Sequence, residues 1–357
     1  YKRQLKKPSS RLHRDNDPRL STPLRASPPA RLVGPMKTNN SREQVGASPF
    51  HGAQTFLAAF VVMSAFLWLG SLGCALVARP DARVDTAEIQ TRARVAAPMA
   101  SKLAMVGAPE IHARSAIMID ALSGETLFEK NADLKLPVAS TQKLLTALEV
   151  IDEGDLEREV TVSLMDALEP PSKVGLIPGS KYRRIDLLGS MLVASANDAA
   201  SALASDGNGS RDAFIKNMNN RARRLGAKNS MFLNAHGLDE PGQYSTARDS
   251  AIIAYHAYRS PLIRHFAAQL FWTFPRGDGE ATILENTNDL LWNWPPYFNG
   301  LKGGFTFCGG KCLVASAKHN GSEIIIVLLG STAKRVFHDA KHLFQWHHEQ
   351  LKKLGHY

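Results

Sequence analysis

Only three cysteines occur in 357 residues, too few for a disulfide scaffold. Cys74 lies in an apolar run, and Cys308 and Cys312 share the stretch CGGKC, as two free thiols or a cross-strand disulfide over a Gly-rich turn. No His or Cys set has metal-ligand spacing, so no metal centre is expected. Internal repeats are missing. Residues 110–357 also lack a charge excess, with 27 Lys/Arg against 27 Asp/Glu, so the net +10 belongs to the first 109 residues. A nucleic-acid partner thereby loses its main support.

Residues 1–50 hold eleven Lys/Arg against three Asp/Glu and are rich in Pro and Ser, a composition that cannot build a core and reads as a disordered basic leader. Within residues 51–78, Thr55–Val77 is a run of 23 residues without a charge, long enough to cross a bilayer as a helix. Basic residues dominate before it, so the bulk of the chain is expected on the outer, periplasmic side. The run fits an uncleaved anchor better than a signal peptide, whose apolar core is shorter. SLGC at 71–74 lacks the aliphatic residue a lipidation box wants at Ser71, and Met36 is a candidate start. A polar, Ala-rich linker covers 79–109.

A composition 44% hydrophobic gives the remainder a full-sized core. RSAIMID (114–120) alternates like a half-buried strand and turns through Ser-Gly into a second strand. After Pro137, Leu144, Leu148 and Ile151 recur at helical spacing. Helical patterns then dominate residues 155–240, with a cap expected at Asn197 or Asp198. STARDSAIIAYHAY opens with Thr246 and Asp249 at capping-box spacing. Strands return with LKGGFTF, CLVASAKH and, after an Asn-Gly turn, EIIIVLLG. A closing helix carries Val336, Ala340, Leu343 and Phe344 as its stripe. Strands at both ends with helices between them predict an α/β chain of the α+β kind: one antiparallel sheet flanked by helices, interrupted by a helical subdomain.

Ser140 and Lys143 in ASTQKLLTAL stand three apart, a spacing a chain of this size offers by chance, as Ser331 and Lys334 do again. Two further motifs follow in order: SAN at 195–197 and KGG at 302–304. Together they resemble the S-x-x-K, S-x-N and K-T-G signature of penicillin-binding proteins and serine beta-lactamases. Extended blocks, among them NAHGLDEPGQYSTARDSA and NTNDLLWNWPPYFNGLKGGFTFCGGKCLVASA, resemble the low-molecular-mass serine D-alanyl-D-alanine carboxypeptidases over roughly residues 110–350.

That resemblance implies a penicillin-binding-protein-like fold over 110–352 and a serine DD-peptidase that removes the terminal D-alanine from peptidoglycan stem peptides. Its partners would be those peptides and beta-lactams as covalent inhibitors, with the membrane engaged through the N-terminal segment and no cofactor required. It implies Ser140 as nucleophile, Lys143 as base and Ser195 as relay of a proton to the leaving amine. Asn197 would orient Lys143, and Lys302 would orient Ser195 and attract the substrate carboxylate. The oxyanion would lie between the N–H groups of Ser140 and Phe305, beside Gly304. Some of these carboxypeptidases carry a second, β-rich domain after such blocks; here none is expected.

Gly303 departs from the pattern, because the family carries Thr or Ser there to contact the substrate carboxylate. Thr306, on the same strand face as Gly304, is a candidate substitute. Alternatives are therefore endopeptidase action on cross-links or a catalytically impaired cell-wall-binding module. An esterase on the same scaffold is a third, and a beta-lactamase lacks a placeable deacylating glutamate, Glu169 being followed by PPSK. His236 reads as a loop residue with a structural hydrogen bond.

Overall fold

The computed structural model describes residues 107–355. The basic leader, the apolar run and nearly all of the linker lie outside them; among the described residues no helix is long and apolar enough to cross a membrane.

β1 (Ser115–Asp120) and β2 (Thr126–Lys130) form the opening hairpin, its turn closed by Asp120, which accepts from the Leu122 and Ser123 amides at 3.0 and 2.7 Å. A 3-10 turn (Ala139–Gln142) leads into α1 (Lys143–Glu153). The middle of the chain then supplies β3 (Glu159–Thr161), α2 (Leu164–Ala167), β4 (Lys181–Arg183), α3 (Arg184–Val193), α4 (Asn197–Asp206) and α5 (Arg211–Leu225). Ser210 caps α5 by accepting from the Ala213 amide, and Gly226, with φ of 102°, ends it in a conformation only glycine adopts cheaply. The predicted helical subdomain therefore also holds a two-stranded ribbon, β3 with β4.

α6 (Ala247–Arg259) and α7 (Pro261–Ala268) return the chain to the sheet. Thr246 caps α6 as its spacing predicts, but the Asp249 carboxylate accepts from Asn229 and Ser230 instead of closing a box. A second hairpin, β5 (Phe271–Pro275) with β6 (Ala281–Glu285), and the short α8 (Asp289–Asn293) precede β7 (Phe298–Thr306), β8 (Gly310–His319), β9 (Ser322–Ser331) and α9 (Val336–Lys353).

The large sheet is antiparallel throughout, in the order β2-β1-β9-β8-β7. Alternation sends Ile117, Val314, Ile325 and Val327 into a core shared with α1, α3, α4 and α6. Met118, Leu313, Ala315 and Ile326 face a second core beneath the α9 stripe Val336, Ala340, Leu343 and Phe344. β1 is therefore covered on both faces rather than half-buried, because α6 and α9 pack on opposite sides of the sheet. Each fully buried Leu or Ile here contributes roughly 1.5–3 kcal/mol. A buried ionic node joins three helices: Arg184, 0% exposed, reaches Glu153 and Asp206, each at 2.7 Å.

Candidate active site

The first motif sits where the 3-10 turn meets α1. Ala139 has φ of 51°, a left-handed conformation uncommon for a residue with a Cβ, and Ser140 follows it half-buried in the turn. Ser140 thus stands in a 3-10 turn, and the α-helix begins only at Lys143. Two glycines seat that turn. A Cβ on Gly237 would lie 2.1 Å from the Ala139 carbonyl oxygen, and one on Gly304 would lie 2.5 Å from the Ser140 nitrogen.

Lys143 is 0% exposed. Its Nζ lies 3.0 Å from Ser140 Oγ, 2.6 Å from Asn197 Oδ1 and 2.8 Å from the His236 carbonyl oxygen. The Asn197 amide cannot be reversed, because its Nδ2 donates to the Pro170 carbonyl at 2.8 Å. Both Asn197 Oδ1 and the His236 carbonyl only accept. A neutral amine has two N–H groups, which these two oxygens consume, leaving its lone pair for the Ser140 hydroxyl proton. Burial, and then the charge of Lys302, hold the Lys143 ammonium well below the ordinary lysine range, against the upward pull of Asp198 and Glu169.

The second motif turns between α3 and α4. Ser195 has φ of 63° and is 7% exposed. No cap forms at Asn197: its side chain faces Lys143 and Pro170, while Asp198 accepts from the amides of Val174, Gly175 and Leu176 at 2.9–3.1 Å. These contacts, with Asn197 N donating to the Ser172 carbonyl at 2.7 Å, fasten loop 170–176 across the motif.

The third motif lies on β7, an edge strand. Lys302 is 1% exposed and its Nζ donates to the Gly303 carbonyl at 3.0 Å; the expected contact with Ser195 is not made. Burial and then Lys311 push Lys302 down to about 7. Gly304 faces Ser140, and Phe305, 57% exposed, follows it at the cleft mouth with Phe307 in edge-to-face contact. Thr306 does not substitute for a hydroxyl at 303. It projects from the opposite strand face, is 6% exposed, and its Oγ1 accepts from Gly309 N at 3.0 Å to close the β7–β8 turn.

The remaining candidates separate clearly. The His236 ring is held by Glu169 Oε2 at 3.3 Å and accepts from Leu238 N, as a structural histidine would; its backbone carbonyl is what reaches Lys143. Glu169 accepts further from Ser201 and Arg211, so both carboxylate oxygens are committed away from Ser140. Ser331 ends a strand and Lys334 lies exposed in the loop beyond it, so the second Ser-Lys spacing is chance. Cys308 is exposed and Cys312 buried, both as free thiols. Sequence reasoning offered Asp198 only as a cap and missed Pro170; their roles arise from a contact between segments about 25 residues apart.

The chain is 36% identical over 256 residues to D-alanyl-D-alanine carboxypeptidase DacC of Escherichia coli, covering 68% of this chain and 62% of that one. It thus spans less than two thirds of that relative's length. It is 32% identical to a D-alanyl-D-alanine endopeptidase of Pseudomonas aeruginosa, over 66% of this chain and 77% of that one. A solved D-alanyl-D-alanine carboxypeptidase from Mycobacterium tuberculosis H37Rv superimposes with a TM-score of 0.66 at 31% identity, covering 69% of this chain and 94% of that one. With the family model described as D-alanyl-D-alanine carboxypeptidase matching residues 102–333, the chain belongs to the D-alanyl-D-alanine carboxypeptidase family.

Proposed function

We propose that the protein is a serine DD-peptidase that cleaves the D-alanyl end of peptidoglycan stem peptides through an acyl-enzyme on Ser140. The observation that carries this reading is Lys143 Nζ, bound by two obligate acceptors and facing Ser140 Oγ at 3.0 Å. Neutral Lys143 takes the hydroxyl proton as Oγ attacks the scissile carbonyl. The developing oxyanion is received by the N–H groups of Ser140 and Phe305, which the packing of Gly304 on Ser140 brings together. The proton then passes through Ser195 to the leaving amine, and water hydrolyses the ester. β7, paired on one side only, offers an edge on which an extended peptide can lie.

Beta-lactams acylate the same serine in this account. A beta-lactamase is disfavoured, since Glu169 is bound by His236, Ser201 and Arg211 rather than turned to an acyl-serine. Gly303, which offers no hydroxyl beside the scissile position, favours endopeptidase action on cross-links as a second reading. The uncharged run Thr55–Val77 supports membrane anchoring with the catalytic part outside the cytoplasm.

Intact-mass spectrometry of the chain after incubation with penicillin tests this reading. One penicillin adduct mapping to the Ser140 peptide, absent from Ser140→Ala and Lys143→Ala, is expected. An adduct that persists in Ser140→Ala contradicts the reading.

A further inference from the structure

Lys311 lies on β8 directly opposite Phe305 of β7 and Ser331 of β9. Side chains of directly paired residues share a sheet face. Gly303, two residues from Phe305, lies on that face too, whereas Lys302 and Gly304 lie on the other. The two lysines of this region are thus divided between the faces of one strand pair. Lys302 is buried on the Ser140 side, and Lys311 is half-buried on the Gly303 side.

Three features meet there. Lys311 has no carboxylate partner among the described residues; its Nζ only overlies the Phe337 ring at 5.6 Å. The Ser331 hydroxyl across from it is buried, in a residue 6% exposed, and lacks a hydrogen-bond partner among the described residues. Gly303 places no side chain on that face, and a Cβ there would make only ordinary contacts, 3.8 Å from Cys312 O and 3.9 Å from Leu313 Cδ1. A cation and an orphan hydroxyl on one face, with no side chain at 303 beside them, are the parts of an anion subsite.

The chemistry of the substrate supplies the anion. With the scissile carbonyl oxygen at Phe305 N–H, a last residue beyond the scissile bond carries its carboxylate about 3.5 Å further on. Lys311 stands one strand spacing, about 5 Å, from Phe305 and has a four-carbon reach. Resting on the serine DD-peptidase reading, we propose that Lys311, backed by Ser331, binds the free C-terminal carboxylate of the leaving D-alanine and so makes the site prefer chain ends to internal bonds. The electrostatic coupling of Lys311 to Lys302 accords with an ammonium lying close behind the acylation site.

The test compares an N-acyl-D-Ala-D-Ala peptide with its C-terminal amide, first by calorimetric binding to the Ser140→Ala chain, where no turnover intervenes. The free acid is expected to bind roughly 10- to 100-fold more tightly, the range for one charge-assisted contact. Adding Lys311→Met should abolish that preference, Lys311→Arg should retain it, and Ser331→Ala should reduce it several-fold. The acid-to-amide ratio of kcat/KM in the Ser140 enzyme should follow the same order. An undiminished ratio in Lys311→Met, or no preference in the Ser140→Ala chain, overturns the proposal. Preferential acid binding that depends on Lys311, without penicillin acylation or D-alanine release by the unsubstituted chain, would refute the peptidase reading and leave the subsite standing.

Discussion

Asn197 Oδ1 lies 2.6 Å from Lys143 Nζ, and the other end of the same amide is pinned to the Pro170 carbonyl at 2.8 Å. An amide free to rotate could also turn its Nδ2 donor toward the lysine. This one presents only an acceptor, so the protonation state of Lys143 decides whether it can take a proton from Ser140.

The pinning depends on loop 170–176, which the Asp198 carboxylate holds by three consecutive amides. Asp198→Ala strands those N–H groups and should cost about 3 kcal/mol or more in chemical denaturation. Asp198→Asn should slow penicillin acylation about 10- to 100-fold by freeing the Asn197 amide. In an Asn197→Ala background the same change should add little; an additive loss would show that the loop does not act through Asn197.

Lys302 ties pH to both rate and stability. Its charge lowers the Lys143 pKa, so Lys302→Met should raise that pKa and move the acid limb of the acylation profile to higher pH. Lys302 itself titrates at about 7 in the fold, below its ordinary value near 10.5. The unfolded chain therefore binds more protons between these values, and the cost of burying Lys302 shrinks as pH rises through them. Lys302→Met should melt higher than the unsubstituted chain at pH 6, with the gain fading toward pH 10. A gain independent of pH would contradict the titration.

The two glycines of the third motif should behave oppositely. Gly304→Ala drives a Cβ to 2.5 Å from the Ser140 nitrogen and should lower acylation at least about 100-fold, with a loss of roughly 1–3 kcal/mol in stability. Gly303→Thr meets Cys312 O and Leu313 Cδ1 at 3.8 and 3.9 Å, ordinary contacts, and should change the melting temperature by no more than about 2 °C. Thermal melts and penicillin labelling of both variants check the contrast.

Sequence periodicity made the outer architecture legible, because β9 and the α9 stripe bury residues at the spacings their patterns announce. The Asn320-Gly321 turn was equally readable: both residues have positive φ, 47° and 80°, as the tight hairpin turn demands. The hairpin β5–β6 was not, since Ile283 stays 68% exposed and the strands carry no clean apolar face. The motif residues were found by order and spacing. Their supports were not: the His236 carbonyl and Gly237 act through backbone geometry that residue type does not reveal, and Asp198 looks like a cap until the loop it holds is seen.

D-alanine release from a D-Ala-D-Ala-terminated stem peptide by the whole chain, followed in parallel for Ser140→Ala, tests the central claim most directly. The account predicts release by the unsubstituted chain and a fall of at least about 1,000-fold in the variant. Release that survives Ser140→Ala, or none from a folded chain that penicillin does acylate at Ser140, would contradict it.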